Sequence, residues 1–118
     1  MLKLTLRVDF ESGERLGPGK VRLLELIDET GSIAAAGRHM GMSYRRAWLL
    51  VESVNGSFAE RSVLTRPGGS GGGGAELTAF GRSLIGHYRA MESKAETATR
   101  AHMKALEAAA ASAADDER

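Results

Sequence analysis

The sequence predicts a mainly α-helical domain that carries a small β-hairpin and ends in a long helix. Three observations predict this fold class. Apolar residues recur at helical spacing in three short stretches, a glycine run separates two short β-prone stretches, and helical periodicity then continues to the end of the chain. With 118 residues, 42% of them apolar, the chain is long enough to form one domain with its own core.

The first thirty residues contain a predicted strand and a predicted helix. Residues 2–10 alternate between apolar and polar side chains, as a strand with one buried face does, and residues 11–13 form a predicted turn. Pro18 suits the first turn of a helix, and Gly31 is predicted to end it. The apolar residues of this helix recur at three-residue spacing: Val21, Leu24 and Ile27.

Two further helices follow, separated by a glycine. Ser32 is a good N-cap for a short helix from Ile33 to Met40, and Gly41 separates it from a helix that Ser43 caps. The small residues at positions 34–37 allow two helices to cross closely. Taken alone, this spacing fits a helix-turn-helix and an unrelated three-helix domain about equally.

A hairpin is predicted after the third helix. Residues 62–66 (SVLTR) and 75–77 (AEL) are its candidate strands, and the glycine run 68–74 is its tip. Such a hairpin would form the wing of a winged helix, and the strand at residues 2–10 is a candidate third strand. The alternative for the glycine run is a flexible linker.

The last predicted helix begins after Thr78 and is long enough to extend beyond a small domain, at about 40 Å for 1.5 Å per residue. Its apolar positions alternate in spacing between four and three residues, which is a heptad seam. We therefore favour a dimer interface along this helix over simple packing on its own domain. The predicted dimerisation residues are Leu84, Tyr88, Met91, Ala95 and Ala98.

Composition excludes several classes of function. The chain has no cysteine, its three histidines are far apart, and no Ser-His-Asp arrangement is visible, so we expect no metal site, no cofactor and no enzymatic activity. The glycine run lacks the G-K-[ST] ending of a phosphate-binding P-loop. Neither a signal peptide nor a run of about 18 apolar residues is present, which predicts a cytoplasmic protein without membrane contact.

Three segments together resemble one family. They are Thr30–Ile33 (TGSI), Gly41–Trp48 (GMSYRRAW) with the later Asn55, and the glycine tip followed by Leu77–Gly81 (LTAFG). The pattern is similar to the N-terminal winged helix-turn-helix domain of the ModE family of molybdate-responsive transcriptional regulators. LysR-type regulators share the GSI and LT-x-x-G elements but usually lack the rest. The resemblance covers residues 16–92, and no segment corresponds to the molybdate-binding modules of that family.

The resemblance implies a DNA-binding surface. In such a domain the start of the third helix faces the major groove, where one of Arg45 and Arg46 is expected to read a guanine and the other to hold phosphate. Five arginines against two acidic residues between positions 37 and 67 support this location. Trp48 is expected in the core or in a dimer contact rather than stacked on DNA. The predicted DNA-binding residues are Ser32, Ser43, Tyr44, Arg45, Arg46, Arg66, Ser70, Gly71 and Gly72.

The sequence-based function is that of a sequence-specific transcriptional regulator that binds double-stranded DNA as a homodimer and lacks its own oxyanion sensor. The alternative is an interaction protein that forms a heterodimer with a related full-length regulator and modulates it. Residues 1–111 are predicted to be the winged helix-turn-helix domain with its long helix, and residues 112–118 a frayed acidic tail.

Overall fold

The structure is a computed structural model that describes residues 1–68 and 73–116, with side chains up to residue 110. It is mostly helical, with two antiparallel two-stranded sheets. In chain order the elements are β1 (Val8–Asp9), β2 (Arg15–Leu16), α1 (Pro18–Thr30), α2 (Ile33–His39), α3 (Tyr44–Ser57), β3 (Val63–Arg66), β4 (Gly74–Leu77) and α4 (Ala79–Asp116).

The first helix begins and ends where its sequence predicts. Pro18 occupies its first turn, and Gly31 ends it in the left-handed region at φ 71°, with its N–H donating to the carbonyl of Ile27 at 2.7 Å. The apolar side of α1 is fully buried and forms the centre of the core. Its buried residues are Val21, Leu23, Leu24, Leu26 and Ile27.

The second and third helices cross at a small residue. A Cβ placed on Gly37 would lie 3.0 Å from the Cβ of Ala47, so glycine is what permits this distance between α2 and α3. Both helices are capped as predicted: the hydroxyl of Ser32 accepts from the N–H of Ala35, and that of Ser43 accepts from the N–H of Arg46, each at 3.1 Å.

A buried asparagine joins α3 to the hairpin of β3 and β4. The Oδ1 of Asn55 accepts from the backbone N–H groups of Ser62 (2.8 Å) and Val63 (3.0 Å), and its Nδ2 donates to the carbonyl of Val63 at 3.2 Å. The returning strand is held to the end of α1, since the N–H of Ala75 donates to the carbonyl of Gly31 at 2.9 Å. These bonds fix the hairpin beside α3.

The last helix starts under the hairpin and extends away from the core. The hydroxyl of Thr78 accepts from the N–H of Gly81 at 3.0 Å and donates to the carbonyl of Arg61 at 2.7 Å, which confirms Thr78 as the cap. A Cβ on Gly81 would collide with the carbonyl of Ser62. Although α4 spans 38 residues, no helix in the described part of the chain is apolar enough over sufficient length to cross a membrane.

The N-terminal residues differ from their prediction. Only Val8–Asp9 is a strand, and it pairs with Arg15–Leu16 rather than joining the hairpin of β3 and β4. The reason is the tight turn between them, where Gly13 has φ 95° and the N–H of Phe10 donates to the carbonyl of Glu14. Upstream, the carbonyl of Leu6 accepts a hydrogen bond from the hydroxyl of Tyr88 at 2.8 Å, so this segment lies beside α4.

Candidate functional site

The first turn of α3 presents an exposed polar surface. Tyr44, Arg45 and Arg46 are all exposed, Tyr44 to 57%. The backbone N–H groups of a helix's first turn have no partner within the helix, and the helix dipole adds partial positive charge there. Ser43 satisfies one of these N–H groups. The surface therefore combines two guanidinium groups with the positive end of a fourteen-residue helix.

Three arginines near this surface lack acidic partners. Among the residues that the structure describes, Arg38, Arg45 and Arg46 form no ion pair with an acidic side chain. Arg38 follows Gly37 and Arg46 precedes Ala47, so these arginines flank the point where α2 and α3 cross. The crossing thus carries positive charge that no described acid neutralises.

Arg66, at the end of β3, is exposed and lies 3.7 Å from the carboxylate of Glu76 on the neighbouring strand. It is therefore partly neutralised, unlike Arg45 and Arg46. The predicted tip residues Ser70, Gly71 and Gly72 lie outside the described residues. Ser32 is half-buried, and its hydroxyl is committed to the cap of α2.

The five predicted dimerisation residues divide into two groups. Leu84 and Tyr88 are buried in the core of their own chain, at 7% and 0% exposure. Met91 and Ala98 are exposed and Ala95 is half-buried, because α4 has by then left the domain. The first two residues are therefore inaccessible to a second copy, and packing on the chain's own domain explains them.

Two further surface residues bear on the sequence-based assignment. Trp48 was expected in the core or in a dimer contact, and its exposure of 42% excludes the core alternative. Arg38 was not among the predicted binding residues, although the sequence indicates that it is unpaired. Side chains pair along a helix at a spacing of three or four residues, and no acidic residue stands at that spacing from Arg38, Arg45 or Arg46.

A contrasting cluster of charges joins α1 to α4. The guanidinium of Arg89 donates to both carboxylate oxygens of Glu25, at 3.1 and 2.6 Å, and to Glu92 at 2.6 Å. The hydrogen bond from Arg89 lowers the pKa of Glu25 below its ordinary value, and the two carboxylates raise the pKa of Arg89. These charges satisfy one another and so serve the packing of the two helices.

Comparison with known proteins finds relatives but no matching protein-family model. The chain is 47% identical over 81 residues to the molybdenum-pterin-binding protein MopB of Rhodobacter capsulatus, covering 69% of this chain and 30% of that protein. It is 36% identical over 93 residues to the molybdenum transport protein ModE of Azotobacter vinelandii (79% and 34%). It is 39% identical over 72 residues to the DNA-binding transcriptional dual regulator ModE of Escherichia coli (60% and 27%). The chain spans about a third of the length of these relatives.

These relatives overturn the recognition made from the sequence. The chain was identified as a ModE-type N-terminal winged helix-turn-helix domain to which molybdenum binding should not be carried over. MopB and the similarly named MopA of the same organism, which is 41% identical over 78 residues, are named for binding a molybdenum-pterin. We therefore withdraw that recognition together with the fold-class name winged helix-turn-helix. The described architecture is mostly helical with two small sheets.

The predicted function is corrected by the same finding. We predicted a sequence-specific transcriptional regulator without an oxyanion sensor or, alternatively, a protein that modulates a related regulator as a heterodimer. Neither prediction included molybdenum binding, to which the names of MopA and MopB point. The descriptions transcription regulation, ModE-like and LysR-like are withdrawn as properties of this chain, and the names of MopA and MopB give no support to the description DNA-binding. What remains is that DNA-binding regulators are among its relatives.

Proposed function

We propose that the chain binds oxyanions on the surface where α2 meets α3, within a protein whose role concerns molybdenum. The observation that carries this proposal is the proximity of three arginines, Arg38, Arg45 and Arg46, to the first turn of α3, because none of the three forms an ion pair in the described part of the chain. Guanidinium groups and free backbone N–H groups are the donors that bind phosphate and similar anions.

Two sources supply oxyanions of this chemistry. Molybdate is the one suggested by the names of MopA, MopB and the molybdenum transport protein. The phosphate backbone of double-stranded DNA is the other, and it is suggested by the relative named as a DNA-binding regulator. We favour double-stranded DNA as the partner of this particular surface, because the arginines lie on an exposed surface rather than in an enclosed cavity of molybdate size.

The proposal includes a second copy of the chain as a partner. Beyond residue 90, α4 extends from the domain as a helix with exposed apolar residues, Met91 at 43% and Leu106 at 57%. Pairing of two such helices would bury them. We also propose that this action takes place in the cytoplasm and that it includes no catalytic step.

The test is binding of a fluorescently labelled duplex, followed by anisotropy with the full chain, the Arg45→Ala variant and the Arg46→Ala variant. We expect binding by the full chain and a loss of about fivefold or more in each variant. Arg22→Ala is the matched control, because Arg22 pairs with Glu25 and Glu29 on α1 and should leave binding unchanged.

A second arm separates the two oxyanion sources. Sodium molybdate and sodium sulfate are added at equal ionic strength to the bound duplex, and molybdate retention is measured by equilibrium dialysis. If DNA phosphate is the ligand, molybdate displaces the duplex no better than sulfate and is not retained. Retention of molybdate that Arg45→Ala abolishes would assign the surface to molybdate instead. If the chain binds neither the duplex nor molybdate, the proposal is overturned.

A further inference from the structure

Three large side chains with apolar surface lie exposed on the first two turns of α3. Tyr44, Trp48 and Leu49 are exposed to 57%, 42% and 47%, and none of them belongs to the buried core or to the apolar residues packed against it. Among the described residues Trp48 has no aromatic ring in contact with its own. A contiguous apolar patch of this kind on a folded domain indicates a surface that a ligand covers.

These side chains form one surface with an arginine. Residues four positions apart are neighbours on a helix, so Trp48 lies one turn after Tyr44 and Leu49 lies one turn after Arg45. The opposite side of α3 is buried against the rest of the domain. We call Tyr44, Arg45, Trp48 and Leu49 the α3 strip. It therefore combines apolar area with a guanidinium group that has no acidic partner in the described part of the chain.

The charges on and beside the α3 strip select the kind of partner. An apolar protein surface that covered the strip would also bury Arg45, and burial of an unpaired charge is strongly unfavourable. The carboxylate nearest in sequence, that of Glu52, lies 3.7 Å from the guanidinium of Arg61 and is partly neutralised by it. Charge complementarity therefore favours an anionic partner that also offers apolar groups.

The major groove of double-stranded DNA offers both. It is about 12 Å wide and admits one α-helix, whose diameter with side chains is about 10–12 Å. Phosphates border the groove, where cationic side chains reach them. On the base edges inside it the apolar group is the C5-methyl group of thymine, and the remaining groups donate or accept hydrogen bonds. Apolar side chains on a helix in this groove thus have thymine methyl groups as their matching contacts.

We propose that Trp48 and Leu49, together with Tyr44, contact thymine methyl groups in the major groove, so that the surface prefers DNA that carries them. The proposal rests on the proposed function and adds to it the chemical group of the duplex that the surface distinguishes. The arginines supply attraction to the phosphates of any duplex, and the apolar side chains supply the preference.

Replacing thymine by uracil tests the proposal, because uracil keeps every hydrogen-bonding group of thymine and lacks only the methyl group. A pool of random-sequence duplexes is enriched for binding to the full chain and then copied with either thymine or uracil nucleotides. Fluorescence anisotropy measures the affinity of the chain for each labelled pool. We expect the uracil pool to bind about fourfold more weakly for each methyl group that is buried, as for the burial of one methylene group.

Variants locate the preference on the α3 strip. Leu49→Ala and Trp48→Ala should each bring the ratio of the two affinities closer to one, whereas their affinity for the uracil pool should change little. Alanine favours a helix, and circular dichroism checks that helix content is kept. Arg45→Ala/Arg46→Ala should weaken binding of both pools and leave the ratio unchanged. Leu106→Ala is the matched control, since it removes an exposed leucine of α4 and should also leave the ratio unchanged.

The outcomes separate this inference from the proposed function. If the chain binds both pools equally well, the thymine contact is overturned, whereas the arginine surface and its DNA partner stand. A preference for thymine that Leu49→Ala and Trp48→Ala both keep also overturns the contact. If the chain binds neither pool, the DNA partner is overturned and this inference with it.

Discussion

The arginines between α1 and α4 differ from those beside the crossing of α2 and α3. In the first region Arg22, Arg82 and Arg89 all contact acidic side chains, with Arg89 held by two carboxylates. In the second region Arg38, Arg45 and Arg46 have no acidic partner among the described residues. The same residue type therefore serves two purposes, since Arg82 and Arg89 join α1 to α4, whereas an arginine without an acidic partner is available to an anionic ligand.

The difference concerns charge and not exposure alone. Arg82 has a side chain that is 58% exposed, yet it pairs with Asp28 at 3.5 Å. Total charge conceals the contrast, because the whole chain carries a net charge of only +1. The distribution of acidic partners thus indicates the candidate binding surface better than the net charge does.

The largest expected effect is on binding through the unpaired arginines. The double variant Arg45→Ala/Arg46→Ala should lose at least tenfold in affinity for a duplex, because two cationic donors are removed at about 1–3 kcal/mol for a base contact and less for a phosphate contact. Its free energy of unfolding should change by no more than about 0.5 kcal/mol, as for other exposed residues. Anisotropy and urea denaturation measure the two quantities. If the free energy of unfolding instead fell by about 1 kcal/mol or more, as much as the binding free energy, these arginines would be shown to stabilise the fold.

The converse variant is in the paired region. Arg89→Ala removes the donors to Glu25 and Glu92 and should lower the free energy of unfolding by about 1 kcal/mol, the upper part of the range for partly exposed ion pairs. Duplex affinity should stay the same, since Arg89 joins α1 to α4 and not α2 to α3. Arg82→Ala, which removes a single longer contact, is the control and should cost less. An unchanged free energy of unfolding in Arg89→Ala would contradict the conclusion that Arg89 stabilises the packing of α1 on α4.

Acid should weaken the paired region selectively. The pKa of Glu25 is lowered in the folded chain, chiefly by the hydrogen bond from Arg89, so its contribution to stability is present above the ordinary carboxyl pKa of about 4.3 and is lost as pH falls through the lower folded value. Urea denaturation at pH 7 and near pH 3 should show a smaller acid loss in Glu25→Gln than in the unchanged chain. Equal losses would mean that other carboxylates carry the effect.

The smallest expected effect comes from releasing a paired arginine near the binding surface. Glu76→Gln removes the partner of Arg66 at 3.7 Å and one negative charge from the hairpin. Duplex affinity should rise by about two- to threefold at low salt, because an exposed pair of this kind is worth at most about 1 kcal/mol. Glu60→Gln, which removes an equal charge that no described ion pair uses, is the control. A fall in duplex affinity would show that Glu76 contributes to DNA binding.

Local signals in the sequence predicted the helices well. Pro18 acts through its fixed φ, and Gly31, Ser43 and Thr78 act through hydrogen bonds to residues three or four positions away. Each begins or ends an element as expected. The position of residues 1–7 was harder to predict, because alternating leucines fit a strand and equally a segment that lies along a helix. Only the contact between Leu6 and Tyr88, 82 residues apart, distinguishes these.

The candidate site was predictable in part for a similar reason. Arg45 and Arg46 follow a cap that the sequence reveals, whereas Arg66 gains its partner Glu76 only when the hairpin closes. Leu84 and Tyr88 were assigned to a dimer interface because they fit a heptad seam. The same apolar spacing is found whether a helix packs on its own chain or on a second copy. The crossing at Gly37 and Ala47, which brings Arg38 near the start of α3, also depends on tertiary packing.

The salt dependence of duplex binding tests the central claim most directly. The logarithm of the binding constant should fall linearly with the logarithm of salt concentration, and each arginine that holds a phosphate should contribute about 0.9 to the slope. The triple variant Arg38→Ala/Arg45→Ala/Arg46→Ala should therefore reduce the slope by up to about three, while Arg22→Ala/Arg82→Ala should leave it unchanged. A slope that the triple variant does not reduce, or that the paired variant reduces equally, would contradict the division between paired and unpaired arginines.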